Sequence, residues 1–425
     1  MKVEITPFPL TGTLPAMPSK SMMHRYLFCA ALADGPSSLV CPVISEDMQA
    51  SMDVLTALGA SFTPTDQGFI VTPIPSPRTD HPVRLDCRES GTTCRFLLPL
   101  VAGLGLSAEI TGSGRLPDRP LKDLTEALRR GGCQVSADTL PLSLSGAFTG
   151  RQVTLPGNVS SQYISAFLLM APLLAEGLTL TIEGPLESEG YVAMTLDAMA
   201  DYGVTVSCTG STYTVPKGAC YRAPETATTI EGDWSNAAFF LAAGAIGQPV
   251  TLTGLDLDSR QGDRAILDIL AAFGAHVRQD NGAITVSPGH LAGISLDVSQ
   301  IPDLVPILAM VAACAKGTTS FKNAGRLRLK ESDRLQATAS LLAGLGVSVR
   351  QGADCLQVTG SPVTSGRIQG FGDHRMVMSG AILAACAGWG PVVIDQAQAI
   401  NKSYPAFFDD FAHLGGHYHV ISHRP

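Results

Sequence analysis

Hydrophobic and polar positions follow one another along this chain in a pattern that occurs six times. In each copy an apolar stretch with helical spacing ends at a glycine, and a short β-branched strand, a turn and a second strand follow. The six glycines lie at intervals of 73, 71, 71, 72 and 69 residues, at Gly59, Gly132, Gly203, Gly274, Gly346 and Gly415. The regular interval predicts six copies of one structural unit, for which a duplication that serves only folding is the alternative interpretation.

A polar loop that opens an apolar helix recurs with the same period. The six loops are Ser19-Lys20-Ser21, Ser90-Gly91-Thr92, Ser160-Ser161-Gln162, Asp233-Trp234-Ser235, Pro302-Asp303 and Asp373-His374-Arg375. Serine and aspartate are favoured residues at helix N-termini, so each loop predicts the start of a helix.

The first unit illustrates the expected order of elements. We expect a strand at Val3–Ile5, a helix from Ser21, a strand at Ser38–Cys41, a helix at Glu46–Leu58 and hairpin strands around Ser61 and Ile70. This is the order βαβαββ, so the predicted fold class is α/β, built from α+β repeats. Six units in 425 residues divide most simply into two domains of three, with the break near residues 227–231.

The composition excludes several classes of function. A formal net charge of −8 argues against nucleic-acid binding by bulk attraction. The apolar runs at 164–174 and 307–315 are shorter than the roughly 20 residues that a membrane-spanning helix needs. The first residues carry no signal-peptide pattern and the ten cysteines form no C-x-x-C pair, so we expect a cytoplasmic protein.

The cationic side chains, in contrast, are gathered at the helix openings. They are Lys20, Arg25, Arg95, Arg119, Lys330, Arg334, Arg375 and Lys402. Helix N-termini carry partial positive charge and free N–H groups, which already favour anions. In an acidic protein this clustering indicates a ligand with more than one phosphate or carboxylate group.

Each motif taken alone also has a purely structural interpretation. Lys20-Ser21 fits a capped helix, Glu331 and Arg334 fit a surface ion pair, and Asp373 and the Ser160 run fit helix caps. His417 and His419 would share one side of a strand, but two histidines without a third ligand are more typical of a surface than of a metal site. Only the combination of motifs is informative.

Seven segments together resemble the enolpyruvyl transferases, and most closely the branch that acts on shikimate 3-phosphate. In chain order they are Pro18-Ser19-Lys20-Ser21 with Arg25, Ser90-Gly91-Thr92-Thr93-Cys94-Arg95, Leu116-Pro117-Asp118-Arg119-Pro120-Leu121, Ser160-Ser161-Gln162, Lys330-Glu331-Ser332-Asp333-Arg334, Asp373-His374-Arg375-Met376 and Asn401-Lys402-Ser403-Tyr404-Pro405. The resemblance implies two domains of three βαβαββ units with the active site in the interdomain cleft. It also implies that the first residues pack with the C-terminal half, giving one domain at 19–230 and the other at 1–18 plus 231–425.

The resemblance further implies transfer of the enolpyruvyl group of phosphoenolpyruvate to the 5-hydroxyl of shikimate 3-phosphate, with release of phosphate. Neither a metal nor an organic cofactor is expected, and we expect a monomer without nucleic-acid or membrane partners. The residues at positions that would hold shikimate 3-phosphate are Lys20, Ser21, Arg25, Ser160, Ser161, Gln162, Ser188, Asp303 and Lys330. Those that would hold phosphoenolpyruvate are Lys20, Gly91, Arg119, Gln162, Arg334, Arg375 and Lys402, with Arg95 nearby.

Three residues occupy the family's catalytic positions. An addition–elimination needs a base for the attacking hydroxyl and an acid for the methylene carbon, and Asp303 and Glu331 stand at those positions. Glu331 would need desolvation to hold a proton near neutral pH. Lys20 would stabilise charge in the tetrahedral intermediate.

Two departures and two alternatives accompany this interpretation. Glu89 and Ser90 replace the Asn-Ala of familiar bacterial relatives, and Arg326 stands where many carry asparagine. One alternative is the related branch that acts on UDP-N-acetylglucosamine, which usually has a reactive cysteine in the loop aligned with 114–119, where this chain has none. The other is a non-catalytic anion-binding protein of the same fold.

Overall fold

The computed structural model describes residues 1–75 and 81–421, which form 24 β-strands and twelve α-helices. The strands are β1 Lys2–Thr6, β2 Gly12–Pro15, β3 Ser37–Val40, β4 Ser61–Thr65, β5 Gly68–Thr72, β6 Val83–Asp86, β7 Ala108–Thr111, β8 Gln134–Val135, β9 Leu142–Ser145, β10 Gln152–Pro156, β11 Leu178–Glu183, β12 Ser207–Thr209, β13 Thr212–Val215, β14 Thr228–Thr229, β15 Val250–Thr253, β16 His276–Asp280, β17 Ala283–Ser287, β18 Ser295–Asp297, β19 Thr318–Lys322, β20 Ser348–Gln351, β21 Cys355–Thr359, β22 Gly366–Ile368, β23 Val392–Asp395 and β24 His417–Ile421.

Each repeat has one buried α-helix and one partly exposed α-helix. They are α1 Lys20–Ala31, α2 Glu46–Ala57, α3 Gly91–Gly103, α4 Lys122–Arg130, α5 Ser161–Met170, α6 Glu189–Asp201, α7 Trp234–Ile246, α8 Ile266–Phe273, α9 Val305–Cys314, α10 Arg334–Gly344, α11 His374–Ala387 and α12 Phe407–His413. The odd-numbered helices are almost entirely buried, as their continuous apolar sequences require, whereas the even-numbered ones expose one side. No helix of the described chain combines the length and apolarity that crossing a bilayer would demand.

The chain forms two compact units, which we call the middle unit and the terminal unit. The middle unit is Pro18–Ile230, and the terminal unit joins Met1–Met17 to Glu231–Pro425. Within the middle unit α1, α3 and α5 contact one another, and within the terminal unit α7, α9 and α11 do the same. Each unit therefore has three buried helices at its centre and three sheets around them.

The repeat glycines adopt the conformation that the sequence pattern predicts. Each follows an even-numbered helix, and all six have positive φ, from 77° at Gly203 to 110° at Gly59. Glycine reaches this left-handed region without the steric penalty that a Cβ atom brings. The prediction of a helix, a glycine and a strand in every repeat is confirmed.

The polar loops also open helices as predicted. Ser19, Ser90, Ser160, Asp233 and Asp373 each accept a backbone N–H from the first turn of the following helix. The fifth loop differs: α9 is preceded by a short 3-10 turn, Pro302–Leu304, and neither Ile301 nor Leu304 caps it with a side chain.

Each sheet has four strands, two of them parallel and two forming an antiparallel extension. The six orders are β14-β3-β5-β4, β6-β7-β9-β8, β10-β11-β13-β12, β2-β15-β17-β16, β18-β19-β21-β20 and β22-β23-β1-β24. Three sheets are built from consecutive strands, and each of the other three includes strands from distant parts of the chain.

One prediction about the first unit was wrong. The strand at Val3–Ile5, β1, does not lead the first repeat; it lies between β23 and β24 of the sixth sheet, antiparallel to both. The leading strand of the first sheet is β14, which pairs in parallel with β3. Local alternation identifies a strand but carries no information about which distant edge pairs with it.

Candidate active site

Four cationic side chains of the middle unit lie at the starts of its buried helices or in the loop before α4. Lys20 is the first residue of α1, Arg25 lies one turn further on, Arg95 lies in the second turn of α3, and Arg119 precedes α4. The Lys20 ammonium is 2.7 Å from an Asp47 carboxylate oxygen. Arg25, Arg95 and Arg119 are only 2%, 4% and 8% exposed.

Arg25 is held by neutral groups. Its guanidinium donates to Thr195 Oγ1 at 2.8 Å and to the carbonyl oxygens of Ser21 and Tyr191 at 2.6 and 2.7 Å. Its charge lies 5.5 Å from the centre of the Phe96 ring. Burial lowers the pKa of Arg25 to about 10. A buried guanidinium fixed by hydroxyl and carbonyl groups retains its positive charge for an external anion.

Arg95 and Arg119 converge on Gly91 at the start of α3. A methyl group at Gly91 would lie 2.5 Å from Arg119 Nη1 and 2.6 Å from Arg95 Nη1, so both guanidinium groups border the same point. Burial, and next the charge of Arg119, lowers the pKa of Arg95. Like charges held this close are unfavourable unless an anion binds between them.

Gln162 connects this pair to the next helix. Its side chain accepts from Arg95 Nη1 at 2.7 Å and donates to Thr92 Oγ1 at 2.8 Å. Its backbone N–H donates to Ser160 Oγ at 3.3 Å. The starts of α3 and α5 are thus joined by one amide side chain.

The terminal unit contains a network centred on Asp303. The Oδ1 atom of Asp303 is 2.6 Å from Arg334 Nη1, 3.2 Å from Lys330 Nζ and 3.8 Å from Arg375 Nε. Burial alone would raise the pKa of Asp303, but the positive charges of Lys330, Arg375 and Arg334 hold it well below its usual value. Burial lowers the pKa of Lys330 to about 8 even beside this carboxylate.

Arg334 joins three carboxylates. It lies 2.6 Å from Glu331 Oε2 and 2.8 Å from Asp373 Oδ2, in addition to its bond to Asp303, and it is 2% exposed. The structural alternative, a surface ion pair between Glu331 and Arg334, is therefore excluded by the burial of the guanidinium. Asp373 also caps α11 through the Arg375 N–H at 3.0 Å.

A further buried carboxyl group, Asp263, lies at this network. It accepts a hydrogen bond from Ser235 Oγ at the start of α7 and is 4% exposed. Burial, and next the charge of Asp303, raises the pKa of Asp263 to about 6. Lys402 extends the network on another side, where its Nζ donates to the Gly372 carbonyl at 2.6 Å. In the described residues, no group of three or more His, Cys, Asp or Glu side chains is arranged to hold a metal ion.

Comparison with known proteins assigns this arrangement to a family. The profile of EPSP synthase (3-phosphoshikimate 1-carboxyvinyltransferase) matches residues 5–411. The chain belongs to the EPSP synthase family. The 3-phosphoshikimate 1-carboxyvinyltransferase of Clostridium kluyveri is 38% identical to it, over 97% of this chain and 97% of the relative. The 3-phosphoshikimate 1-carboxyvinyltransferase of Methanopyrus kandleri is also 38% identical, over 99% of this chain and 100% of the relative.

Solved structures agree with the EPSP synthase assignment. EPSP synthase from Acinetobacter baumannii superposes with a TM-score of 0.80 at 25% identity, covering 99% of this chain and 100% of that one. The enolpyruvyl transferase NikO from Streptomyces tendae has the same fold, with a TM-score of 0.77 at 21% identity over 98% of both chains. The predicted fold class is confirmed.

The residues expected from the EPSP synthase resemblance fall into two groups. The middle unit contains the residues at the starts of its helices and Arg119, namely Lys20, Ser21, Arg25, Gly91, Arg95, Arg119, Ser160, Ser161, Gln162 and Ser188. The terminal unit contains Asp303, Lys330, Glu331, Arg334, Arg375 and Lys402. Ser188 precedes α6 with a left-handed φ of 56° and is 3% exposed.

Several supporting residues were not found from the sequence. Asp47 pairs with Lys20 and Thr195 accepts a hydrogen bond from Arg25. Asp263 accepts from Ser235 and interacts electrostatically with Asp303. Each of the three lies within or beside an ordinary amphipathic helix. Glu89 lies against the loop that contains Gly114: Gly114 has a φ of 59°, and a Cβ there would overlap the Glu89 carboxylate. Only glycine allows the loop 112–119 to pass Glu89 this closely.

Proposed function

We propose that the protein transfers the enolpyruvyl group of phosphoenolpyruvate to the 5-hydroxyl of shikimate 3-phosphate and releases phosphate, a step of aromatic amino acid biosynthesis. The observation that carries this proposal is the position of Asp303, a buried carboxylate within 4 Å of Lys330, Arg334 and Arg375. A base surrounded by anion-binding groups is what a reaction between two phosphorylated substrates requires.

The substrates are proposed to share the cations of both units. Shikimate 3-phosphate would contact Lys20, Ser21, Arg25, Ser160, Ser161, Gln162, Ser188, Asp303 and Lys330. Phosphoenolpyruvate would contact Lys20, Gly91, Arg119, Gln162, Arg334, Arg375 and Lys402. The convergence of Arg95 and Arg119 on Gly91 supports an anion at that point.

The low pKa of Asp303 has a consequence for the order of events. A carboxylate held ionised by three cations is a weak base, because the same cations that stabilise its charge oppose its protonation. When phosphate and carboxylate groups of the substrates bind Lys330, Arg334 and Arg375, they offset those positive charges. Substrate binding would thereby raise the basicity of Asp303 at the stage when it has to accept a proton.

The chemical step then needs two proton transfers. Asp303 would take the proton of the 5-hydroxyl while the oxygen of that hydroxyl bonds to C2 of phosphoenolpyruvate. Glu331 would donate a proton to the methylene carbon C3. In the tetrahedral intermediate the C2–O bond to phosphate would break with its electron pair going to phosphate, and C3 would return a proton to the Glu331 carboxylate as the double bond re-forms. The proton taken by Asp303 would pass to the released phosphate. Lys20 would stabilise the developing charge.

An assay of phosphate release tests the proposal. The protein is incubated with phosphoenolpyruvate and either shikimate 3-phosphate or UDP-N-acetylglucosamine, with Asp303→Asn as the matched inactive control. We expect release only with shikimate 3-phosphate. Release with the nucleotide sugar would favour the related branch, and no release with either would favour a non-catalytic anion-binding protein.

Two further assignments are proposals of the same kind. All ten cysteines lie in the described ranges and are free thiols, which supports a reducing compartment such as the cytoplasm. We also propose that the protein is a monomer. It is further proposed to need no metal or organic cofactor, because the proposed proton transfers use only the carboxyl groups of Asp303 and Glu331. Sedimentation and an assay after chelation test these two points.

A further inference from the structure

A strained turn precedes the Asp373-His374-Arg375 segment. The Asp373 N–H donates to the Gly370 carbonyl at 2.9 Å, which closes a four-residue turn. Its two central residues, Phe371 and Gly372, have φ values of 54° and 62°. Turns with two positive φ angles favour Asn or Gly, and an aromatic residue there is a genuine outlier. Such strain persists only where the surroundings impose it, and it often serves function.

The Gln396 side chain is hydrogen-bonded to this turn. Its Oε1 atom accepts the N–H of Gly372 at 2.7 Å, from a position immediately before the 3-10 segment Ala397–Lys402. Gln396 is itself left-handed, with a φ of 57°. Three left-handed residues therefore meet at one hydrogen bond.

The same glycine faces Lys402 with its other backbone group. The Gly372 carbonyl accepts from Lys402 Nζ at 2.6 Å, while its N–H is bound by Gln396. The next residue, Asp373, binds Arg334 at 2.8 Å. Gly372 and Asp373 thus contact two cations that are proposed to bind phosphoenolpyruvate, and the Gly372 carbonyl is one of the groups that hold the Lys402 ammonium.

We propose that Gln396 is a positioning residue for Lys402: through Gly372 it fixes the ammonium group that binds an anionic group of phosphoenolpyruvate. This inference rests on the proposed function, because it takes Lys402 as a phosphoenolpyruvate contact. Gln396 is solvent-exposed and its bond is to a backbone N–H, so its contribution acts on the placement of Lys402 and not on the reacting atoms.

Three variants separate this role from a general effect on folding. Gln396→Met keeps the length and the Cβ atom of the side chain but removes the acceptor, Gln396→Glu retains an acceptor, and Gln398→Met is the matched control. Gln398 lies on the same 3-10 segment, is exposed, and accepts from the Met1 amino group. Circular dichroism and thermal melting establish that each variant folds.

We expect Gln396→Met to raise the KM for phosphoenolpyruvate about 2- to 10-fold, the range for loss of one hydrogen bond. The kcat and the KM for shikimate 3-phosphate should change less than about twofold. Gln398→Met should have the same KM for phosphoenolpyruvate as the parent protein, and the KM of Gln396→Glu should lie between those of the parent and Gln396→Met. A KM for phosphoenolpyruvate that is unchanged in Gln396→Met, or raised equally in Gln398→Met, overturns the inference.

A double-mutant cycle with Lys402→Met completes the test. If Gln396 acts through Lys402, adding Gln396→Met to Lys402→Met should raise the KM for phosphoenolpyruvate no further. Fully additive effects would overturn the positioning role. If Lys402→Met alone leaves this KM unchanged, the assignment of Lys402 in the proposed function fails and the inference falls with it. A raised KM in Lys402→Met with a normal one in Gln396→Met rejects the inference alone.

Discussion

At the scale of single residues, charge compensation dominates the site. The carboxylates Asp303, Glu331 and Asp373 are all bound to the one buried guanidinium of Arg334. Removing any partner from such a network leaves a buried charge uncompensated, which is costly. The network therefore keeps Asp303 ionised and fixes the positions of both groups proposed to move protons.

The two proposed proton carriers can be tested by isosteric replacement. Asp303→Asn and Glu331→Gln keep shape and hydrogen bonding but cannot accept or donate a proton in the same way. We expect each to lower kcat by at least about 100-fold, the usual contribution of a positioned acid or base. Circular dichroism should show an intact fold. Near-normal turnover in either folded variant would mean that the residue has been assigned the wrong role.

Gly91 offers a test of the phosphoenolpyruvate position. Its φ lies outside the left-handed region, so Gly91→Ala brings no backbone strain, but the methyl group would press on the ends of Arg95 and Arg119. EPSP synthases are targets of glyphosate, and we propose that this inhibitor, which is longer than phosphoenolpyruvate, occupies the same pocket. We expect the glyphosate inhibition constant to rise by a larger factor than the KM for phosphoenolpyruvate, with little change in melting temperature. Equal factors, or a parent enzyme that glyphosate does not inhibit, would argue against this position.

Asp263 predicts a pH-dependent change in stability. Its pKa is raised from 3.8 to about 6 in the folded protein, so ionisation destabilises the native state. The penalty is absent below about pH 4, grows between pH 4 and pH 6, and is complete above that range. Asp263→Asn should therefore stabilise the protein by roughly 1 kcal/mol more at pH 7 than at pH 5, measured by urea denaturation. A gain that is equal at both pH values would contradict the shifted titration.

The sequence allowed prediction of the charged residues but not of their partners. Lys20, Arg25 and Asp303 stand at helix openings, a position that a linear pattern can reveal. Asp47, Thr195 and Gln396 contact site residues or their neighbours from other elements, and the hydrogen bonds that join them span 24 to 170 residues of sequence. Such contacts depend on tertiary packing, which leaves no local signature.

At the scale of elements, the repeat made most of the fold predictable. Each glycine follows a helix in a left-handed conformation that turns the chain towards the hairpin, and in five of the six loops a Ser or Asp starts the next helix by accepting a first-turn N–H. The placement of β1 was not predictable, since β-strand alternation does not specify a partner.

The helix caps can be separated into structural and functional ones. Ser90 caps α3 through the Thr93 N–H at 3.3 Å, and Ser45 caps α2 through the Met48 N–H at the same distance. Ser90→Ala and Ser45→Ala should each cost about 1 kcal/mol, seen as a melting temperature lower by a few degrees. Ser90→Ala should also raise the KM for phosphoenolpyruvate by a larger factor than Ser45→Ala, because α3 carries Gly91 and Arg95, whereas α2 carries only Asp47, the ion-pair partner of Lys20. The same kinetic change in both variants would show that the caps act only through stability.

At the scale of the whole molecule, the proposed function requires that both units bind one ligand. Lys20 belongs to the middle unit and Lys330 to the terminal unit. Lys20→Met and Lys330→Met should each weaken shikimate 3-phosphate binding about 10-fold or more, the usual effect of a lost charge-assisted hydrogen bond. Calorimetry without phosphoenolpyruvate measures this directly.

Exposed lysines of the same two units provide the controls for this measurement. Lys217 of the middle unit pairs with Glu176 and is 69% exposed, and Lys316 of the terminal unit is also exposed. Lys217→Met and Lys316→Met should leave the dissociation constant unchanged. If only one of Lys20→Met and Lys330→Met weakens binding, the ligand is held by a single unit.

The strands that join sheets from distant parts of the chain determine the order in which the six sheets can form during synthesis. Residues 18–230 supply every strand of the first three sheets, so that part of the chain can fold as soon as it has emerged. β1 and β2 are synthesised long before their partners. β2 pairs with β15, more than 200 residues later in the chain, and β1 pairs with β23 and β24, which lie near the end of the sequence. At 5–20 residues per second, β1 waits roughly 10 to 40 s beyond completion of the middle unit for its partners. During that interval Val3 and Ile5, which are fully buried in the folded protein, have no sheet to cover them, so we expect chaperones to bind this segment.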